Sequence, residues 1–227
     1  MVQKVEAEME QLRKDTLEMW KLVYNQMQQA GEAVLTLNKD MARQVILRER
    51  RVNAFELKID RDVEDVIALY NPVAVQLRFT LAIMRINSNL ERIGDFADGM
   101  AHFVVEFKEP VLDPDLVRKL QLSEMIDQVL LMFQTLFDAL EKENADLAVH
   151  VFEMDQLVDE IYHGCYQRLK AFILEDPEAN SLNALQLVGI FRKLERVGDH
   201  CTNLAEEIVF FLDAKVLKHQ GKTSTEN

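Results

Sequence analysis

The sequence predicts an all-α protein built as two tandem, pseudo-symmetric, antiparallel three-helix bundles containing six long helices. Three observations carry that expectation. Apolar residues recur at intervals of three and four, as in Val52, Phe55, Ile59, Val63 and Val66, or Ile190, Leu194, Val197, Cys201, Leu204 and Ile208, and alternating strand patterns are absent. The four prolines, Pro72, Pro110, Pro114 and Pro177, stand at the edges of periodic segments, where a missing N–H does least harm. The stretches ERIGDFADGMA from Glu91 and ERVGDHCTNLA from Glu195 share five of eleven residues and lie 104 positions apart.

The first helix runs from the charged amino terminus to the seam LNKDMA at 37–42, where an asparagine suits a helix C′ position and an aspartate the next N-cap. The second continues to Pro72, and the third carries ERIGD towards KEPVLDPDLV at 108–117, which reads as a linker. The fourth closes at the matching seam ENADLA at 143–148, the fifth ends at Pro177, and the sixth carries ERVGD. Asn38 aligns on Asn144, Asp40 on Asp146, Ala42 on Ala148, Val45 on Val151 and Val52 on Val158, an offset of 106 that drifts to 105 at Pro72 and Pro177 and to 104 at the motifs. So steady a register indicates internal duplication, with residues 1–109 forming the first bundle and 110–227 the second.

Composition narrows the function. With 227 residues, 48% of them apolar, the chain can build a core. Its formal charge of -13 repels phosphate backbones and anionic lipid surfaces, which argues against a nucleic-acid partner. No apolar run approaches the roughly eighteen residues of a membrane span, so a cytoplasmic protein without direct membrane insertion is expected. Cys165 and Cys201 fall on apolar helix faces and read as reduced packing thiols.

Glu91 and Asp95 are four residues apart and stack on one helix face, and Asp98 continues the stripe. Glu195 and Asp199 repeat the pair. Ile86, Leu90, Ile93 and Ala97 lie more than a quarter turn away, which places the acids on the bundle surface. The preceding helix of the second half holds Asp155 and Asp159; the matching positions of the first half are Glu49 and Asn53, with Glu56 a turn further on. Like charges at this spacing destabilise an isolated helix by about 0.2–0.5 kcal/mol per pair. Contacts between such pairs on neighbouring helices would cost roughly 1–3 kcal/mol each. A cation would offset that repulsion, and hard oxygen donors without paired histidines favour Mg²⁺, Mn²⁺, Ca²⁺ or iron over zinc. The candidate metal-binding residues are therefore Glu49, Glu91, Asp95, Asp98, Asp155, Asp159, Glu195 and Asp199.

Gly94 and Gly198 interrupt helices at about 1 kcal/mol each relative to alanine, so a close approach to the backbone is expected there, by a ligand or by a packed helix. Arg92 and Arg196 point about 100° from the acids and are expected to bridge to a neighbouring helix rather than to bind an anion. His200 is expected at the surface or in an interhelical hydrogen bond. GKT at 221–223 lacks the first glycine and the strand of a phosphate-binding loop, and the single ExxH from Glu160 to His163 gives little support to a di-iron oxidase. No nucleophile with an adjacent base emerges, so catalysis is not indicated.

The segments NPVAVQLRFTLAIMRINSNLERIGDFAD at 71–98 and LEDPEANSLNALQLVGIFRKLERVGDHCTNLAEEIVFF at 174–211, with two LER.GD motifs and the closing FFLDAKVLKH, resemble the PhoU family of phosphate-signalling proteins over nearly the whole chain. The resemblance implies two three-helix bundles, commonly in a homodimer, with multinuclear metal sites of divalent or trivalent ions at E(D)xxxD motifs. It also implies negative regulation of phosphate uptake and the starvation response, through the ATPase subunit of the phosphate ABC transporter and a membrane sensor histidine kinase. Asn53 departs from the family's acidic position, and Asp213 from a usual glycine. Two other expectations stand beside it: a carboxylate-bridged metalloenzyme, either a di-iron oxidase or a metal-dependent phosphatase, and an accessory subunit of an ion-coupled phosphate carrier. Val209, Phe210 and Phe211 are expected to cap the second bundle or face another subunit.

Overall fold

A computed structural model describes residues 2–108 and 112–214, and these residues form seven α-helices. Helices α1 (Val2–Thr36), α2 (Lys39–Tyr70) and α3 (Val75–Glu106) pack against one another as the first bundle. After the short α4 (Pro114–Leu120), helices α5 (Leu122–Glu141), α6 (Ala145–Glu175) and α7 (Pro177–Asp213) form the second. The expected six long helices are all present. The segment read as a linker also folds in part, into α4, where the Asp113 side chain accepts from the Asp115 N–H and Pro114 occupies the first turn. Seven residues are too few to show a helical period, so only the cap betrayed it.

Both seams hold a helix turn, but the asparagines act differently from the expectation. Leu37 and Glu143, not the asparagines, take the left-handed conformation that ends the preceding helix (φ 49° and 52°). The Asn38 N–H then donates to the Ala33 carbonyl (3.2 Å) and the Asn144 N–H to that of Ala139 (2.9 Å), the bonds of a Schellman closure. Each asparagine side chain caps the following helix: Asn38 accepts from Asp40 and Met41, Asn144 from Asp146 and Leu147. The aspartates sit in the first turn instead, where the helix dipole favours them.

Val52, Ile59, Val63 and Val66 of α2 and Ile190, Leu194, Val197, Cys201, Leu204 and Ile208 of α7 are buried, as the period requires. Cys165 and Cys201 are free buried thiols. The two bundles share one continuous core through α1 against α5 and α3 against α7. Trp20 of α1 stacks on Phe133 of α5 at 5.1 Å and donates its Nε1–H to the Phe133 carbonyl (3.3 Å). The expectation for 209–211 is corrected here. Val209 is buried, Phe211 meets Phe79 of the first bundle edge-on at 5.1 Å, and Arg85 lies over Phe210, so the two phenylalanines bind one bundle to the other. Of the family-like closing segment, residues 215–219 lie outside the described residues, as does GKT.

Candidate metal centres

The first acidic face forms where α2 packs on α3. Glu49 and Glu56 of α2 confront Glu91, Asp95 and Asp98 of α3 closely enough for their charges to act on one another. Burial, then Asp95, Glu56 and Glu49, push the Glu91 carboxyl up to about 7, with Arg92 opposing. Burial and neighbouring acids likewise raise Glu49, Glu56 and Asp98. The Glu49 Oε2 accepts from the buried Gln26 side chain of α1 at 2.7 Å, whereas its Oε1 is buried with no hydrogen-bond partner. An orphaned carboxylate oxygen inside an acidic group is what a cation would satisfy.

The second face repeats the arrangement between α6 and α7. Burial first, then Asp159, Asp199 and Glu195, raise the Asp155 carboxyl to about 7, and Glu195 is raised for the same reasons. Where the first half has Glu56 and Asp60, register places Tyr162 and Tyr166, whose hydroxyls are 3.0 Å apart.

The mid-helix glycines explain how the facing helices come so close. A Cβ on Gly198 would stand 2.7 Å from Asp155 Oδ1 and 3.3 Å from Val158 Cγ1. One on Gly94 would stand 3.4 Å from Glu49 Oε2 and 3.2 Å from Val52 Cγ1. Equivalent acid, valine and glycine thus meet in both halves, so the glycine leaves a notch in which the facing carboxylate rests. Of the two alternatives for the glycines, the structure shows the packed helix, and that helix presents a carboxylate at the notch.

The arginines depart from the expectation. Arg92 pairs within α3, at 3.5 Å from Asp95 Oδ2 and 3.7 Å from Glu91 Oε2, and Arg196 pairs within α7, at 3.0 Å from Asp199 Oδ2. The i, i+3 spacing suffices for a long side chain to reach back along its own helix. His200 donates from Nδ1 to Asn89 Oδ1 of α3 (2.7 Å), the interhelical bond expected of it. Its imidazole is held below the usual histidine range by burial, then by Arg196 and Arg92, against Asp199.

All eight candidate residues therefore fall on these two faces, four on each, and Asn53 is exposed on α2. The structure adds Glu56 and Gln26. Gln26 carried a signal of its own, a polar residue within the apolar stripe Val23, Met27 and Ala30. Among the described residues, no three His, Cys, Asp or Glu side chains converge into a ready-made ion cage. The all-oxygen donors, the orphaned Glu49 oxygen and the repeated notches fit a hard cation in chemistry, while the arginines hold Asp95 and Asp199 aside.

Comparison with known proteins matches this architecture twice over. The PhoU domain model fits residues 16–104 and 122–208. The phosphate-specific transport system accessory protein PhoU homolog of Pseudomonas aeruginosa is 32% identical over 221 residues, covering 97% of this chain and 90% of that protein. The Escherichia coli accessory protein PhoU is 30% identical over 215 residues, covering 95% and 88%. The crystal structure of PhoU from Pseudomonas aeruginosa superposes with a TM-score of 0.87 at 30% identity, covering 92% of this chain and 99% of that one. The phosphate transport system regulatory protein PhoU from Streptococcus pneumoniae gives 0.81 at 26% identity, covering 93% and 98%. With both repeats matched and relatives similar over nearly the whole chain, the chain belongs to the PhoU family.

Proposed function

We propose that this protein is a non-enzymatic negative regulator of phosphate uptake and phosphate-starvation signalling, acting as a metal-binding adaptor. The observation that carries the reading is similarity across nearly the whole chain to proteins named as accessory or regulatory components of phosphate transport. On this reading it docks on the ATPase subunit of the phosphate ABC transporter and on a sensor histidine kinase, works as a homodimer, and reaches the membrane through these partners. Among the described residues no helix is long and apolar enough to cross a membrane.

Two turns at equivalent places in the duplication supply docking surface. Leu69 in the last turn of α2 and Leu174 in the last turn of α6 are register partners, exposed at 70% and 69%. Val73 and Val75, which follow Leu69 in the chain, and Leu182 and Leu185, in the first turns of α7, are exposed as well. Large apolar side chains recurring at matched exposed positions suit recognition of a protein surface.

Glu49, Glu91, Asp95 and Asp98 would hold cations on the first face, and Asp155, Asp159, Glu195 and Asp199 on the second. Bound cations would supply positive charge that offsets carboxylate repulsion. The protein's own part is to keep two ladders of oxygen donors in register, with Gly94 and Gly198 admitting the α2 and α6 carboxylates and Gln26 orienting Glu49.

Capture of the crosslinked protein from native membranes tests the adaptor role. The transporter ATPase and the kinase are expected with the unaltered chain, and Leu69→Asp with Leu174→Asp should reduce recovery at least fivefold without loss of helicity. Recovery of an ion-coupled carrier alone, or of no transport component, would refute the reading.

A further inference from the structure

The helices that bear the duplicated motifs pack on each other, and three contacts fix their antiparallel register. Arg85 Nη1 binds Glu207 Oε2 at 3.0 Å, Asn89 meets His200 at 2.7 Å, and the Lys193 side chain lies over Gly99, where an added Cβ would stand 2.6 Å from its Cε. The seam on α3 therefore steps through positions 85, 89, 92, 96 and 99, the spacing of a single helix face. On α7 it steps through 193, 196, 200 and 207. Arg92 and Arg196, which occupy the same position in the two motifs, fall at the middle of this seam, and Phe96 stands 5.7 Å from the His200 ring. A chain of formal charge -13 thus gathers two guanidinium groups and an imidazole at one place, contributed by both repeats.

Both arginines are more than half exposed, 59% for Arg92 and 52% for Arg196, and each is tied to acids of its own motif, Arg92 to Asp95 and more loosely to Glu91, Arg196 to Asp199. The tie on Arg92 is long, at 3.5 Å. Those acids are the ones assigned above to cations, and a carboxylate engaged by a cation binds a guanidinium less strongly. Released guanidinium groups present paired donors whose spacing matches a tetrahedral oxyanion. We propose that Arg92 and Arg196, with His200 beside them, form a binding site for phosphate that opens when Asp95 and Asp199 are withdrawn from the two arginines. The opening step rests on the cation-holding role of those aspartates, whereas the anion site rests on the seam alone.

Equilibrium dialysis with labelled phosphate, with manganese measured in the same cells, tests both parts. The unaltered chain with Mn²⁺ should retain about one phosphate per chain. The double variant Arg92→Gln, Arg196→Gln should retain Mn²⁺ undiminished and lose phosphate at least tenfold. The double variant Asp95→Asn, Asp199→Asn removes the two aspartate charges without metal and leaves only the longer Glu91 contact on Arg92; it should retain phosphate in the absence of Mn²⁺ and lose it when both arginines are also replaced. Circular dichroism confirms that each variant keeps its helix content. Undiminished phosphate on the arginine variant would overturn the proposal, because the anion would then sit elsewhere, and so would failure of the aspartate variant to bind phosphate without metal. Absence of Mn²⁺ from the unaltered chain would refute the cation-holding role separately, and the metal-free arm would still decide the anion site.

Discussion

Gly198 and Gly189 stand on the same helix and answer the same substitution in opposite ways. An alanine at 198 meets Asp155 and Val158 at once, so Gly198→Ala is expected to lower stability by about 1–3 kcal/mol, the usual cost of overpacking. At 189 an added Cβ meets nothing within 4 Å, so Gly189→Ala should gain about 0.5–1 kcal/mol from helix propensity. Urea denaturation of the two variants distinguishes them. Asp155 offers a pH test. Its folded carboxyl is raised to about 7 from 3.8, so the folded state favours the protonated form; this contribution is full below about pH 4 and fades as pH rises through 7. Chelator-stripped protein should therefore melt at a higher temperature at pH 5 than at pH 8. Asp155→Asn should raise the pH 8 stability by about 1–2 kcal/mol, the scale of one uncompensated polar group with partial solvent screening. At this scale the repeated acids were legible because duplication made them visible twice. The notch was not, because the atoms that fill it lie on α6, distant in sequence, and a helical wheel shows only one helix at a time.

Helix ends were legible as places but not as mechanisms. Seams and prolines located the boundaries of α2, α3, α6 and α7, since Asn, Pro and Asp each have few tolerable positions near a helix end. They did not show that one asparagine serves two helices, its backbone closing the first and its side chain capping the second. Replacing Asn38 or Asn144 with alanine removes only the side-chain half of that double service. Each variant should lose about 1 kcal/mol, read from thermal melts, and both together about twice that, because the turns lie in different bundles. Glu56 was visible as an acid a turn beyond Asn53 but stood outside the candidate set, and Gln26 went unseen, because neither belongs to a repeated motif. A glutamine in an apolar stripe is the pattern that marks such a residue from sequence.

Trp20 is the chain's one tryptophan and stands at the contact between the bundles, so its fluorescence reports on their union. The Arg85–Glu207 pair spans the other contact, with Glu207 only 5% exposed and Arg85 partly open to solvent. Arg85→Met leaves that carboxylate without its ionic partner and should cost about 1–3 kcal/mol, below the full price of a sealed ion pair. If the bundles unfold as one, tryptophan fluorescence and helical ellipticity will change together in urea; the variant is expected to separate them. Periodicity foretold the bundles, but their mating did not follow from it, since Phe210 and Phe211 would look alike whether they closed one bundle or joined two. The mating has an evolutionary meaning. Sister helices α3 and α7 lie against each other in antiparallel register, so a half-length forebear would already have carried a face suited to its own twin. Fusion of two such genes would make that pairing permanent and free each copy to diverge, as Asn53 has from Asp159.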